Sequence, residues 1–207
     1  VAMVDFELPS EFFDKYTCEG ENRLTLNIGE FLKFIDRVDK DENVRIRLDE
    51  PNARLNIHCK RGGHTRRFSM PILEPLDDEV PQPKIFFKAS ARILTQSLRR
   101  AIRDSTLVSE HVKMEVASDI FKVNATGDMG SAHSEWAKDS DELLEIKMEE
   151  AASATFTLSY LQDIVNAVTA SSEVANLELS TDMPIKMDFE LPQGHLLYYL
   201  APCIGVY

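Results

Sequence analysis

A chain of 207 residues with 43% hydrophobic side chains can fill one large core or two ordinary ones, and its longest apolar stretches, such as Leu196 to Pro202, fall far short of a membrane span. A formal net charge of -12 argues against nucleic-acid binding driven by overall charge, and three scattered cysteines (Cys18, Cys59, Cys203) argue against a disulfide framework and fit a reducing, intracellular compartment. The charge is uneven: residues 84–113 carry 7 basic and 2 acidic side chains, whereas residues 114–207 carry 4 and 16, so one basic island sits in an acidic protein.

In chain order, Val1 opens a strand-like segment rather than a signal peptide. Ile28, Phe31, Phe34, Ile35 and Val38 recur at helical spacing and predict a first helix carrying Lys33 and Arg37, with Lys40 just beyond its end. Alternation of Val44, Ile46 and Leu48, a turn at Asp49-Glu50-Pro51-Asn52, and alternation of Leu55, Ile57 and Cys59 predict two adjacent strands. Cys59 takes an apolar slot and His58 the opposite face, with Gly62-Gly63 as the turn. The run from His58 to His64 therefore reads as strand and turn, not as a metal site or a nucleophile pair. Leu73 to Pro83 combines three prolines with four acids, the composition of an extended connector. It divides the chain into a first domain at 1–72, a connector at 73–84 and a second domain at 85–207.

Ile93, Leu94, Leu98, Ala101 and Ile102 predict a second helix. Opposite them Arg92, Gln96, Arg99, Arg100 and Arg103 form one cationic stripe. A solvated face and a phosphate-contacting face both fit such a stripe, and the acidic background favours the second. No recognition-helix context or aromatic platform accompanies it, so any DNA contact is expected to be non-specific and salt-sensitive. Leu158, Leu161, Ile164, Val165 and Val168 predict a third helix without cations on its polar side. The strand His195 to Pro202 reads either as a core strand with an aromatic pair or, with Pro184 and the apolar part of the connector, as the wall of a hydrophobic pocket for partner peptides. Phosphate-binding glycine loops, serine nucleophile elbows and paired CxxC motifs do not occur, so neither an enzyme nor a cofactor is expected.

The shift that sets Ile28 on Leu158 superimposes the whole first predicted helix on the third. It also sets Phe6 on Trp136, Leu26 on Phe156, and Leu55, Ile57 and Cys59 on Ile185, Met187 and Phe189. The match is one of pattern rather than identity, so duplication and chance agreement of common strand-helix-strand units both account for it. Under duplication, the counterpart of Phe86 to Gly130 maps before residue 1, and about 44 residues forming a strand, a helix and two strands are expected to precede Val1.

Tyr198-Tyr199-Leu200-Ala201-Pro202 resembles the C-terminal strand of the PCNA-type sliding clamps, Asp182-Met183-Pro184-Ile185 the turn before their penultimate strand, and Arg103-Asp104 with Leu107-Val108-Ser109 the end of their second-domain helix in its archaeal form. The resemblance runs through essentially the whole chain and implies an α+β fold of two similar domains, with antiparallel sheets outside and helices lining a DNA channel in a homotrimeric ring. It implies a non-enzymatic DNA sliding clamp, a processivity factor that tethers polymerase. The alternative is a clamp-like interaction module that closes no ring on DNA. The family's channel-lining positions correspond to Lys33, Arg37, Arg99, Arg100 and Arg103, and its partner-peptide groove to Val1, Met3, Val80, Pro81, Pro184, Tyr199, Ala201 and Pro202. DNA polymerase, clamp loader, ligase and nucleases are the implied partners beside duplex DNA. The implied location is the cytoplasm, on the nucleoid, in an archaeon, or the nucleus in a eukaryote, with no membrane association. Ring closure is expected to pair the edge near His64 to Met70 with the edge near Ser131 to Ala137 of the next subunit, Arg66 and Arg67 facing Glu135. Asn166 stands where the family usually has a basic residue, and Cys203 to Tyr207 replaces a basic residue and an acidic tail.

Overall fold

The computed structural model describes residues 1–74 and 83–205. In chain order the elements are β1 (Ala2–Glu7), α1 (Ile28–Ile35), β2 (Asn43–Asp49), β3 (Arg54–Arg61), β4 (His64–Pro71), β5 (Ala89–Leu94), α2 (Thr95–Ser105), β6 (His111–Ala117), β7 (Ile120–Gly127), β8 (Gly130–Ala137), β9 (Leu143–Met148), β10 (Ala152–Thr157), α3 (Leu158–Val168), β11 (Val174–Leu179), β12 (Ile185–Leu191) and β13 (Gly194–Leu200). They fall into two units, one joining Val1–Tyr16 to the chain from Lys84 onward, the other spanning Thr17–Pro83.

The larger unit is built twice over. The shift that sets Ala89 on Ala152 carries β5-α2-β6 onto β10-α3-β11, with β7 and β8 falling on β12 and β13. Ala89-Ser90-Ala91 recurs as Ala152-Ser153-Ala154, Leu98 as Leu161, and Ser109-Glu110 as Ser172-Glu173. Each half lends its first strand to the other: β5 pairs with β11, Ile93 opposite Ala175, and β10 pairs with β6, Phe156 opposite Val112. The results are a six-stranded sheet, β1-β13-β12-β11-β5-β9, and a four-stranded sheet, β10-β6-β7-β8. Both helices start directly from strands without a side-chain cap; instead the Thr95 N–H donates to the Glu173 carbonyl and the Leu158 N–H to the Glu110 carbonyl, each at 2.9 Å. Ile93, Leu98, Phe121, Phe156, Leu161, Val165, Leu177 and Phe189 are at the centre of one core.

Helical spacing predicted a helix already at Arg92 to Leu94, but these residues finish β5. Ala89, Ala91 and Ile93 are buried at period two against the partner strands, and the helix begins only where the ladder to β11 ends.

The smaller unit is one helix and one meander. Asn27 caps α1 by accepting the Glu30 N–H at 3.0 Å, and Asp36 ends it, so Arg37 and Val38 lie beyond the helix. The predicted strands form β2 and β3, Val44 opposite Cys59 and Ile46 opposite Ile57, and a two-residue loop with Gly62 at φ +55 turns β3 into β4. The β3–β4 register reproduces that of β12–β13 at the same shift that sets Ile28 on Leu158: Ile57 faces Phe68 as Met187 faces Tyr198. Coverage differs, however. Ile28 is 65% exposed and its equivalent Leu158 only 2%, while Val44 and Ile46, opposite Cys59 and Ile57, are exposed where Ala175 and Leu177, opposite Phe189 and Met187, are fully buried. In the larger unit β5 beside β11 and α2 beside α3 provide that cover; among the described residues the smaller unit contains no counterpart of either.

Candidate nucleic-acid interface and partner groove

Burial of Leu98, Ala101, Ile102 and Ser105 turns the opposite side of α2 outward, and that side carries Gln96, Arg99, Arg100 and Arg103. Arg99 is held by its Nε–H, which donates to Asn166 Oδ1 of α3 at 2.7 Å. Arg100 has Nη1 at 3.9 Å from Glu142 Oε1. The indole N–H of Trp136 donates to the same Glu142 carboxylate at 2.8 Å, and this bond, with one from Ser97 and the charge of Arg100, holds its carboxyl below the usual carboxylate range. Arg103 is exposed and has no acidic partner among the described residues. Arg92, expected in the same stripe, lies in β5 and donates from Nε to Asn176 Oδ1 at 2.9 Å. Three guanidinium groups, with the carboxylates of Glu142, Asp104 and Glu135 around the recess beside Arg100, make a surface suited to phosphate oxygens without base readout. In the smaller unit Lys33 is paired with Glu30 at 2.6 Å, and Arg37 is exposed just past α1.

Glu142 was not picked out from sequence as part of this surface, and Asn166 was singled out only as standing where the family usually has a basic residue. The signal that ties Asn166 to α2 is the repeat within the larger unit, which makes it the equivalent of Arg103.

At the far end of the six-stranded sheet, Met3 of β1 lies opposite Tyr199 of β13, and the Ala201 N–H donates to the Val1 carbonyl at 2.9 Å. Tyr199 alternates with Tyr198 and Leu200, which face the core, so Val1, Met3, Tyr199 and Ala201 share the outer face. Pro184 precedes β12, one residue before Ile185, whose partner is Leu200, and Pro202 is half-buried just past β13. Val1 and Ala201 are exposed, whereas Tyr199 is only 7% exposed. Val80 and Pro81 lie outside the described residues.

Among the described residues β4 pairs only with β3 and β8 only with β7, leaving one open edge on each. Arg66 and Arg67 part ways there. Arg66, opposite the buried Cys59, turns inward: it is ion-paired with Glu42, whose side chain is only 2% exposed, and donates from Nη2 to the Arg37 carbonyl at 2.7 Å. Hydrogen bonds from Arg66 and from the Asp39 N–H hold the Glu42 carboxyl below the usual range. Burial pushes the Cys59 thiol up, away from the thiolate a nucleophile needs, while His58 points to the other face of β3. Arg67 is exposed on β4, and Glu135 is exposed on β8.

Paired β-α-βββ motifs that exchange their first strands, with one helix of the pair presenting a cationic face, are the architecture of the processivity-clamp class of fold. The N-terminal and C-terminal domain models of proliferating cell nuclear antigen match residues 1–71 and 82–204. The DNA polymerase sliding clamp of Thermofilum pendens is 31% identical over 203 residues, covering 98% of this chain and 81% of its own, and DNA polymerase sliding clamp 1 of Pyrobaculum aerophilum is 31% identical over 202 residues, covering 97% and 80%. The crystal structure of PCNA from Thermococcus kodakaraensis shares the fold, with a TM-score of 0.84 at 21% identity over 98% of this chain and 82% of that one. The chain belongs to the proliferating cell nuclear antigen family, the non-enzymatic DNA sliding clamps.

Proposed function

We propose that the chain closes, with further copies of itself, into a trimeric ring around duplex DNA and holds a DNA polymerase at the sheet-end groove. A closed ring leaves DNA only at an end, so it needs no sequence affinity. The carrying observation is the Arg99, Arg100 and Arg103 face on a body of net charge -12, which attracts phosphate in one place and repels it elsewhere. Lys33 and Arg37 are the proposed contribution of the smaller unit, the former weakened by its bond to Glu30. The family matches support dividing the chain into 1–72, a connector at 73–84, and 85–207. Ligase, nucleases and a clamp loader are further proposed occupants of the groove, and the archaeal relatives support a cytoplasmic, nucleoid-associated location.

Reversing Arg99, Arg100 and Arg103 to Glu is expected to abolish processive synthesis in a loader-dependent assay. A milder change of all three to Gln lowers the slope of log affinity against log salt by about three times 0.9 if each contacts one phosphate. An unchanged slope removes these residues from the DNA path. Light scattering checks the ring: a trimer scatters with three times the chain mass of 23.5 kDa, whereas a single-copy mass rejects it.

A further inference from the structure

We infer that the face of the three-stranded sheet turned away from α1 is a docking surface for an extended acidic segment of a partner protein, read by Arg45, Arg47 and Lys60 around His58. The inference goes beyond the clamp reading and does not depend on a ring closing.

Alternation decides which side chains share this face. Leu55, Ile57 and Cys59 of β3 are buried, and Phe68, opposite Ile57, packs on Phe34 of α1 with ring centroids 5.5 Å apart, so α1 lies on their side of the sheet. The other side sets Arg45 opposite His58 and His58 opposite Arg67, Arg47 opposite Asn56, and Lys60 opposite Asn43 and Thr65. Arg45, Arg47, Lys60 and Arg67 are exposed, and among the described residues none of them has an acidic partner. The acid further along β2, Asp49, accepts from the Asn52 side chain at 3.0 Å, and Arg54 opposite it is bonded to Ser69. Arg67, on the β4 edge, continues the row but is left out of the site, since the joint expected between subunits engages it.

The equivalent face of the larger unit is built the other way. There Asn176 stands opposite Asp188, Glu178 opposite Lys186, and Glu190 opposite His195. Its cationic side chain is neutralised within the sheet: Lys186 bonds Glu178 at 2.6 Å, and His195 bonds Asp188 at 2.6 Å. Opposite charges set side by side on neighbouring strands stabilise a sheet and like charges destabilise it. The smaller unit thus keeps a self-repelling cluster that its counterpart lacks, and an anion seated on it removes the repulsion.

The spacing selects the anion. Arg45 and Arg47 are two residues apart on one strand, about 6.8 Å, the separation of alternate side chains in any extended chain. Asp or Glu at every second position of an extended peptide therefore meets both guanidinium groups, each able to hold a carboxylate by two parallel hydrogen bonds. The face carries no Phe, Tyr or Trp on which single-stranded nucleic acid could stack its bases. A nucleic-acid strand that runs past the patch also meets a body of net charge -12, whereas a short acidic segment ends within it.

The test uses the 207-residue chain and a short fluorescein-labelled peptide of alternating Glu and Ser, followed by anisotropy at low ionic strength, beside an oligothymidylate of matching charge. Arg45→Gln with Arg47→Gln and Lys60→Gln is expected to weaken peptide binding about tenfold, the size of three exposed charge pairs. Arg99→Gln with Arg100→Gln and Arg103→Gln removes as much positive charge from α2 and is expected to leave peptide binding unchanged. The first variant is expected to melt no lower than the parent, because it relieves repulsion; should it melt lower, Arg45→Gln alone, with an expected loss of about twofold, decides instead. No peptide binding by the parent, equal weakening by both triple variants, or binding that neither alters overturns the inference. So does an oligothymidylate that binds this face more tightly than the peptide, which would make it a nucleic-acid surface. The ring is decided separately, by the light-scattering mass.

Discussion

Glu42 is a carboxylate with almost no access to water and one strong cation beside it, and its proton is correspondingly hard to add. Its folded pKa lies below its unfolded one, so the native state binds fewer protons in the interval between them. The stability this contributes is complete above the unfolded value and is lost as pH falls through the folded value. Arg66→Met removes the cause and leaves a buried carboxylate unpaired. The variant is expected to melt below the parent at neutral pH, with the gap narrowing as pH drops through the carboxylate range. Thermal melts at stepped pH check this; a pH-independent gap assigns Arg66 a packing role only. At this scale the alternation of β3 was enough to send Cys59 inward and His58 outward. The division of labour between Arg66 and Arg67 is written in the same alternation, since Arg66 falls opposite Cys59. The identity of its partner was not legible, because Glu42 is 24 residues away in a loop whose path depends on tertiary packing.

Elements were legible where one face is buried and ambiguous where a strand runs straight into a helix. Ile93 and Leu94 satisfy the spacing of α2 as well as that of β5, and Thr95 offers no capping box, because the Glu173 carbonyl of the other half does the capping. The repeat that sets α1 on α3 was visible because whole strands and a helix match. The repeat that sets α2 on α3 was missed because Arg and Gln on one half face Asn and Asp on the other. Leu98 and Leu161 occupy matching places in the two halves and both are fully buried, so Leu98→Ala and Leu161→Ala are each expected to cost about 2–5 kcal/mol, and by similar amounts. Urea unfolding followed by Trp136 emission measures both; a large inequality would mean that one half collapses onto its cavity and the other does not. The same pairing of halves explains why the cationic stripe is outward: the apolar sides of α2 and α3 are committed to one core.

For the whole molecule, the two units differ in how fully their apolar faces are covered. Among the described residues, Ile28 and Ile46 are 65% and 50% exposed, whereas Leu158 and Leu177 in the larger unit are buried. The exchange of β5 and β10 between the halves of the larger unit has a further consequence, for a chain cut in two. A break in the loop between β9 and β10 leaves neither piece with a complete sheet, since β11 is flanked by β5 and β6 by β10. The two pieces are therefore each other's missing edge and complement one another rather than fold apart.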